Sequence, residues 1–220
     1  MKNIRALIRE FIQESDLLED YPASFDMEVF KSLKSHAGRN RYAKEHLQII
    51  KKGSSRAVYK IDEEKVLKLA WNDIGKAQNE VEIEYGQYDD LSGVLAKIFD
   101  YDKQDHLWVE MELARINLKT SDFEKVVGFK FKDIQTAIHN YGIDSGNSRG
   151  SKKEMDSELL ESMWKNEFML GIFDYIGNYG VPPGDLTRLS SYGVVERDGI
   201  DQIVIIDYGL THSVYSSYYS

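Results

Sequence analysis

The chain has 220 residues, no cysteine, three prolines, and 37 acidic against 28 basic side chains, for a formal charge of -9. The missing cysteine excludes a disulfide framework, a thiolate zinc site and a cysteine nucleophile. The acidic balance speaks against a general nucleic-acid binder, which needs clustered Lys and Arg. With 42% hydrophobic and 30% charged residues the composition is that of an ordinary folded protein. No apolar run approaches the roughly 20 residues that cross a bilayer. Arg5, Arg9 and Glu10 interrupt the apolar start, so no signal peptide is expected and a cytoplasmic location without membrane contact is.

Residues 1–18 set Ile4, Leu7, Ile8, Phe11 and Ile12 on one helical stripe. Such a helix packs on its own domain or docks a partner protein; its mildly basic polar face makes a membrane-surface role the third choice. A second short amphipathic stretch surrounds Met27, Val29, Phe30 and Leu33, and Gly38 is expected to end it. From residue 47 the period changes to that of strands, expected at 47–50, 57–61 and 66–70, the last two joined by the Asp62-Glu63-Glu64 turn. A helix over 73–88 and two strands, 93–99 and 106–113, complete this half. Beyond Ala114 helices dominate. Residues 142–153 form a Gly/Ser-rich loop, expected to be the least ordered segment. The longest helix is expected over 154–177, where Leu160, Trp164, Phe168, Ile172 and Ile176 step by four. Gly177, Gly180 and Pro182-Pro183 stop it. Strands 192–196 and 202–206 meet at the Arg197-Asp198-Gly199 turn. The division is an N-terminal helical arm (1–46), a sheet-and-one-helix lobe (47–114) and a mainly helical lobe (115–220).

Four features bear on chemistry. Gly53-Ser54-Ser55, at a bend between strands, lets backbone N–H groups approach an anion closely. Lys68 stands alone in Val66-Leu67-Lys68-Leu69-Ala70, where alternation puts it on the same side as Val66 and Ala70. If that side faces a cleft, the ammonium needs a carboxylate or anion to offset its desolvation. Glu80, between Ala77 and Val81 on the expected inner side of the 73–88 helix, is the candidate partner; Glu84 competes, and Glu82 is expected to point away. Asp185 follows Pro182-Pro183-Gly184, and Asp207 ends the apolar strand Ile203-Val204-Ile205-Ile206 before Tyr208-Gly209. A carboxylate there suits magnesium, which takes oxygen donors, while Asp185 could accept a proton from an attacking hydroxyl.

In this order the four features resemble the protein-kinase-like fold across about residues 47–210. Gly53–Val58 is similar to the glycine-rich loop, Lys68 to the strand-three lysine, and Glu80 to its helix partner. Trp108-Val109-Glu110-Met111-Glu112-Leu113-Ala114 resembles strand five and the hinge, which implies adenine contacts from the backbones of Glu112 and Ala114. Asp185-Leu186 resembles the catalytic-loop aspartate, and Asp207-Tyr208-Gly209 the metal-binding turn with Tyr for Phe. Gly-Ser-Ser-Arg-Ala-Val-Tyr and Asp-Tyr-Gly-Leu are most similar to small kinase-like proteins of tailed bacteriophages. The resemblance implies an α+β, two-lobed fold, ATP and magnesium as cofactors, Asp185, Lys68 and Arg188 as catalytic residues, and Gly53, Ser54, Ser55, Lys68, Glu80, Glu112 and Ala114 around the nucleotide.

The sequence also departs from the pattern. Pro183-Gly184 replaces the usual His-Arg, and the metal-binding asparagine falls on Ser190 or Ser191, beside Asp207 as the metal set. Thr187 replaces a lysine, with Arg188 next to it. Arg56 stands where the last loop glycine is expected, and only eleven residues follow Gly209. Two functions follow. One is a minimal phosphotransferase acting on a protein hydroxyl, the Ser/Tyr tail 213–220 included. The other is an inactive kinase-fold binding or assembly protein that meets its partner through helix 1–18. An aminoglycoside-kinase kind of enzyme shares the short Asp62–Glu64 hairpin but carries a larger C-terminal lobe.

Overall fold

The computed structural model describes residues 21–218. The helix expected over 1–18, and the partner docking assigned to it, lie outside the described residues. Two short helices come first, α1 (Met27–Ser32) and α2 (His36–His46). Gly38 does not end a helix, as expected, but sits in the first turn of α2, where its N–H donates to the Ser35 hydroxyl that caps the helix.

Five antiparallel strands follow: β1 (Gln48–Lys52), β2 (Arg56–Lys60), β3 (Lys65–Ala70), β4 (Ile98–Tyr101) and β5 (Trp108–Glu112), in the order β1-β2-β3-β5-β4. Between β3 and β4 runs helix α3 (Asp73–Tyr85). The strand expected over 93–99 is shorter and later than its apolar residues suggest. Leu91, Val94, Leu95 and Ala96 are buried there without joining a strand of the sheet, and β4 begins only at Ile98.

The two faces of the sheet do different work. Leu67 and Leu69 on β3, with Ala57 and Tyr59 on β2, pack under α1 and α2 against Phe25, Phe30 and Ala43. The opposite face carries Val66 and Lys68 toward α3 and the second half of the chain. Strand alternation thus separates a mainly apolar layer from the layer that holds Lys68.

The second half is mainly helical: α4 (Thr120–Val127), α5 (Phe131–Asp144), α6 (Ser157–Met163), α7 (Glu167–Tyr179) and the single turn α8 (Pro183–Leu186), then the hairpin β6 (Tyr192–Arg197) and β7 (Ile200–Ile205), and α9 (His212–Tyr218). The single helix expected over 154–177 is two helices. Asn166 breaks it, its side chain accepting from Met169 N–H as the cap of α7, and Trp164 is left 42% exposed instead of joining the stripe. Residues 145–156 form a loop tied to its surroundings: Asn140 and Lys153 exchange two hydrogen bonds, and Asn147 donates to Ile176 O. The loop expected to be least ordered is thus held at both ends.

One hydrophobic core joins the halves, running from Val66, Ile83 and Met111 through Ile134, Ile138, Ile172 and Ile176 to Tyr192 and Val204. The result is an α+β, two-lobed protein: a sheet with one helix on its inner side, a helical second lobe, and a cleft between. Among the described residues no helix is long and apolar enough to cross a membrane.

Candidate functional site

The cleft lies between β1, β2, β3 and the end of β5 on one side and the residues after β7 on the other, with a cavity volume of about 180 Å³. Its two ends differ in chemistry. Ile50, Val58, Val66, Met111, Ile116 and Ile206 line an apolar slot beside Glu112, Leu113 and Ala114; Lys51, Ser54, Ser55, Arg56, Lys68, Gln78 and Asp207 line the other end. An apolar slot with a cationic end suits an apolar group joined to an anion.

At the charged end Lys68 Nζ donates to both oxygens of Glu82, at 2.6 and 2.7 Å, and to Ile206 O at 3.1 Å. Glu82, fully buried on α3, is the lysine's partner. This corrects the expectation of Glu80, whose carboxylate is 65% exposed and lies 4.0 Å from His106. The reason is the register of α3. Its buried face is Gly75, Gln78, Asn79, Glu82 and Ile83, a largely polar face turned to a polar site, whereas the expectation followed its apolar residues.

Arg56 joins the pair. Its Nη1 lies 2.8 Å from Glu82 Oε2 and donates to Asn79 Oδ1, and its Nη2 donates to Asp207 Oδ1 at 2.6 Å. The guanidinium side chain is 7% exposed. Burial, followed by the charge of Arg56, pulls the Lys68 ammonium below the ordinary lysine range, against the opposing pull of Glu82 and Asp207. Burial works to raise the Asp207 carboxyl, but the charges of Arg56, Lys68 and Lys51 outweigh it and hold the group below the ordinary aspartate range.

The backbone around this network is fixed. Tyr208 N–H donates to Glu82 Oε1, the Tyr208 hydroxyl donates to Ala96 O, and Tyr175 donates to Tyr208 O at 2.9 Å. Two glycines permit the close approaches. A Cβ on Gly209 would stand 2.4 Å from Gln78 O, and one on Gly75 would stand 2.3 Å from Ser55 O, so α3 seats directly on the turn and on the loop. That loop is anchored as well: Trp71 Nε1 donates to Ser54 O, and the Ser55 hydroxyl donates to Gln78 Oε1 at 2.6 Å. Gly53 N–H donates to Arg56 O and is taken up in the turn.

Of the expected nucleotide residues, Gly53, Ser54, Ser55, Lys68, Glu112 and Ala114 line the cleft and Glu80 does not. The Glu112 side chain pairs with Arg197, which donates to both its oxygens at 3.1 and 2.6 Å and also to Ser92 O and Leu95 O. That contact braces the end of β5 against the second lobe. Asp185 on α8 and Arg188 just after it are ion-paired at 3.0 Å, and neither lines the cleft. The Ser191 hydroxyl donates to Asp185 O and so fixes this turn.

Magnesium is held by one or two carboxylates together with phosphates and water. The residues expected to hold it do not fit it in this arrangement. One Asp207 oxygen, Oδ1, is bonded to the Arg56 guanidinium while the Asp207 side chain is 51% exposed, Ser190 is exposed on the turn Leu189–Ser191 outside the cleft, and the described residues contain no cluster of three His, Asp or Glu suited to a metal.

Sequence reasoning saw Arg56 only as a missing glycine, and it missed Glu82, Asn79 and Arg197. The signal available for Glu82 was the polar stripe Gln78, Asn79, Glu82 next to a strand with a lone lysine. Nothing local singled out Arg197, which reads as part of a turn.

The fold and cleft thus define a two-lobed α+β protein with an apolar-to-cationic site between its lobes. No family model and no curated protein matches the chain. Among solved structures it is similar to the streptomycin–ATP–APH(2")-IIa ternary complex, with 14% identity and a TM-score of 0.35, covering 86% of this chain and 73% of that one. It is also similar to the gentamicin–APH(2")-IIa complex, with 13% identity and a TM-score of 0.34, covering 81% and 70%. At this level of likeness the functional reading rests on the cleft itself.

Proposed function

We propose that the cleft binds ATP and that the protein is a phosphotransferase of kinase-like architecture working through it. The observation that carries this reading is the buried Lys68–Glu82 pair at the cationic end of an apolar slot. The slot suits adenine, sandwiched between Val58, Val66 and Ile206, with the Glu112–Ala114 backbone along its edge. The phosphates would meet Lys68 and Arg56, which concentrate positive charge inside a chain of formal charge -9. Cations fixed beforehand by Glu82 stabilise charge developing on a transferred phosphoryl group with little reorganisation. Asp185 would position the acceptor hydroxyl, of a protein or of a small molecule, and Arg188 would move from Asp185 to the γ-phosphate.

A different observation favours a second reading, in which ATP is bound and not spent. Both aspartates that transfer would use are engaged by arginines, Asp207 by Arg56 and Asp185 by Arg188. Incubation with γ-labelled ATP and a protein lysate or hydroxylated small molecules separates the two. The first reading expects label transfer that Lys68→Ala and Asp185→Ala abolish. Absence of transfer together with an ATP-dependent rise in melting temperature supports the second reading, because a ligand that binds only the folded state stabilises it. Absence of both defeats the ATP assignment.

A further inference from the structure

The chemistry expected of Asp207 is metal ligation, yet the fold gives that carboxylate a guanidinium. We propose that Arg56 is the resident cation of this site, standing where a divalent ion would stand and binding the nucleotide phosphates directly, so that ATP binding requires no divalent metal. The inference rests on the ATP reading of the cleft.

Three observations carry it. The first is anchorage. Arg56 is 7% exposed and is held by residues from two other elements, with Asn79 and Glu82 on α3 and Asp207 beyond β7. A divalent ion at Asp207 would share that carboxylate with a guanidinium 2.6 Å from Oδ1 and would meet the charge of Lys68 as well. With Arg56 and Lys68 themselves buried, their charges repel a further cation placed beside them.

The second is the count of donors. An ammonium has three N–H groups, and those of Lys68 are directed at the two Glu82 oxygens and at Ile206 O. A guanidinium has five. The contacts of Arg56 to Asn79, Glu82 and Asp207 leave its Nε–H and one Nη2–H without a partner among the described residues. Arg56 lines the cleft, so of the two buried cations it is Arg56, and not Lys68, that has donors to spare.

The third is the shape of the group. A planar fork fits two oxygens of a phosphate at once, as a compact ammonium does not. Nor does another carboxylate in the cleft stand ready to hold a metal. Glu82 is taken by Lys68, Arg56 and Tyr208 N–H, and Glu112 by Arg197.

Calorimetric titration of the full chain with ATP, once in EDTA and once in excess magnesium, tests the proposal. The expected result is an affinity that differs by less than about threefold between the two conditions, a gap of under 1 kcal/mol. Arg56→Gln should lose about tenfold or more of the EDTA affinity and regain part of it with magnesium. Arg56→Lys, which keeps the charge and loses the fork, should fall between. A wild-type chain that binds ATP with magnesium and at least tenfold more weakly in EDTA overturns the proposal and leaves the ATP reading standing. Failure to bind ATP in either condition overturns both. If Arg56→Gln does not fold, amide spectra of the wild-type chain with added manganese decide the matter. Unbroadened signals at Ile206–Gly209 support Arg56 as the cation, and signals broadened there at micromolar manganese overturn it.

Discussion

Two arginine–aspartate pairs of nearly the same geometry sit on this molecule, and their surroundings give them different weight. Arg56 and Asp207 meet at 2.6 Å, with the guanidinium sealed against Glu82 and Lys68. Arg188 and Asp185 meet at 3.0 Å within one turn, with the arginine 70% exposed. Water screens the second pair, so its energy is small and its parts can separate easily. The first joins a half-exposed Asp207 to a buried Arg56–Glu82–Lys68 network, in which removing a buried member leaves a charge uncompensated. The difference is that the inner pair ties the two lobes together, whereas the outer one is a solvent-screened contact within a single turn.

The strongest way to break the inner network is through Glu82, the carboxylate shared by both cations. Glu82→Gln is expected to cost about 3–5 kcal/mol, or roughly 10 °C in melting temperature, and to abolish ATP binding. Glu80→Gln, the neighbour that the sequence pattern favoured, should shift neither by more than about 0.5 kcal/mol. Parallel thermal melts check both.

Arg197 tests whether the cleft edge depends on a second buried pair. Removing its fork to Glu112 and its bonds to Ser92 O and Leu95 O by Arg197→Ala should cost about 2–3 kcal/mol in urea unfolding. ATP affinity should fall with it, since the end of β5 loses its brace.

Glu110 provides a contrast from the other face of the sheet. It is 8% exposed and accepts a hydrogen bond from Tyr21 at 2.8 Å. Burial raises its carboxyl above the ordinary value of 4.5, an effect that the Tyr21 bond opposes and Asp100 adds to. The folded state then holds the proton more tightly than the unfolded one. The stability this confers is full below 4.5 and is lost as the pH rises through the raised value. Glu110→Gln should therefore flatten the stability profile between 4.5 and the raised value, measured by urea melts at successive pH values. An unchanged slope would mean that the group is solvated.

The smallest effect on stability belongs to the outer pair. Arg188→Ala should change it by no more than about 0.5 kcal/mol while reducing phosphate transfer if the arginine moves to the γ-phosphate. A variant that leaves transfer intact would reduce Arg188 to a surface ion pair.

The sequence by itself determined most of the strands and singled out Lys68 and Asp207. Alternation and a lone charge in an apolar strand are local patterns, and the chain's order carries them. It could not choose between Glu80 and Glu82, because hydrophobic periodicity assumes that a helix buries its apolar side. Helix α3 turns Gln78, Asn79 and Glu82 inward instead, toward two cations that come from β2 and β3. Nor could it show that Asn166 divides a continuous apolar stripe, since a cap and an interior polar residue look alike in sequence. Arg56 and Asp207 stand 151 positions apart in the chain, and no spacing rule reaches that far. Their meeting, and with it the cation at the centre of the site, was decided by the packing of one lobe against the other.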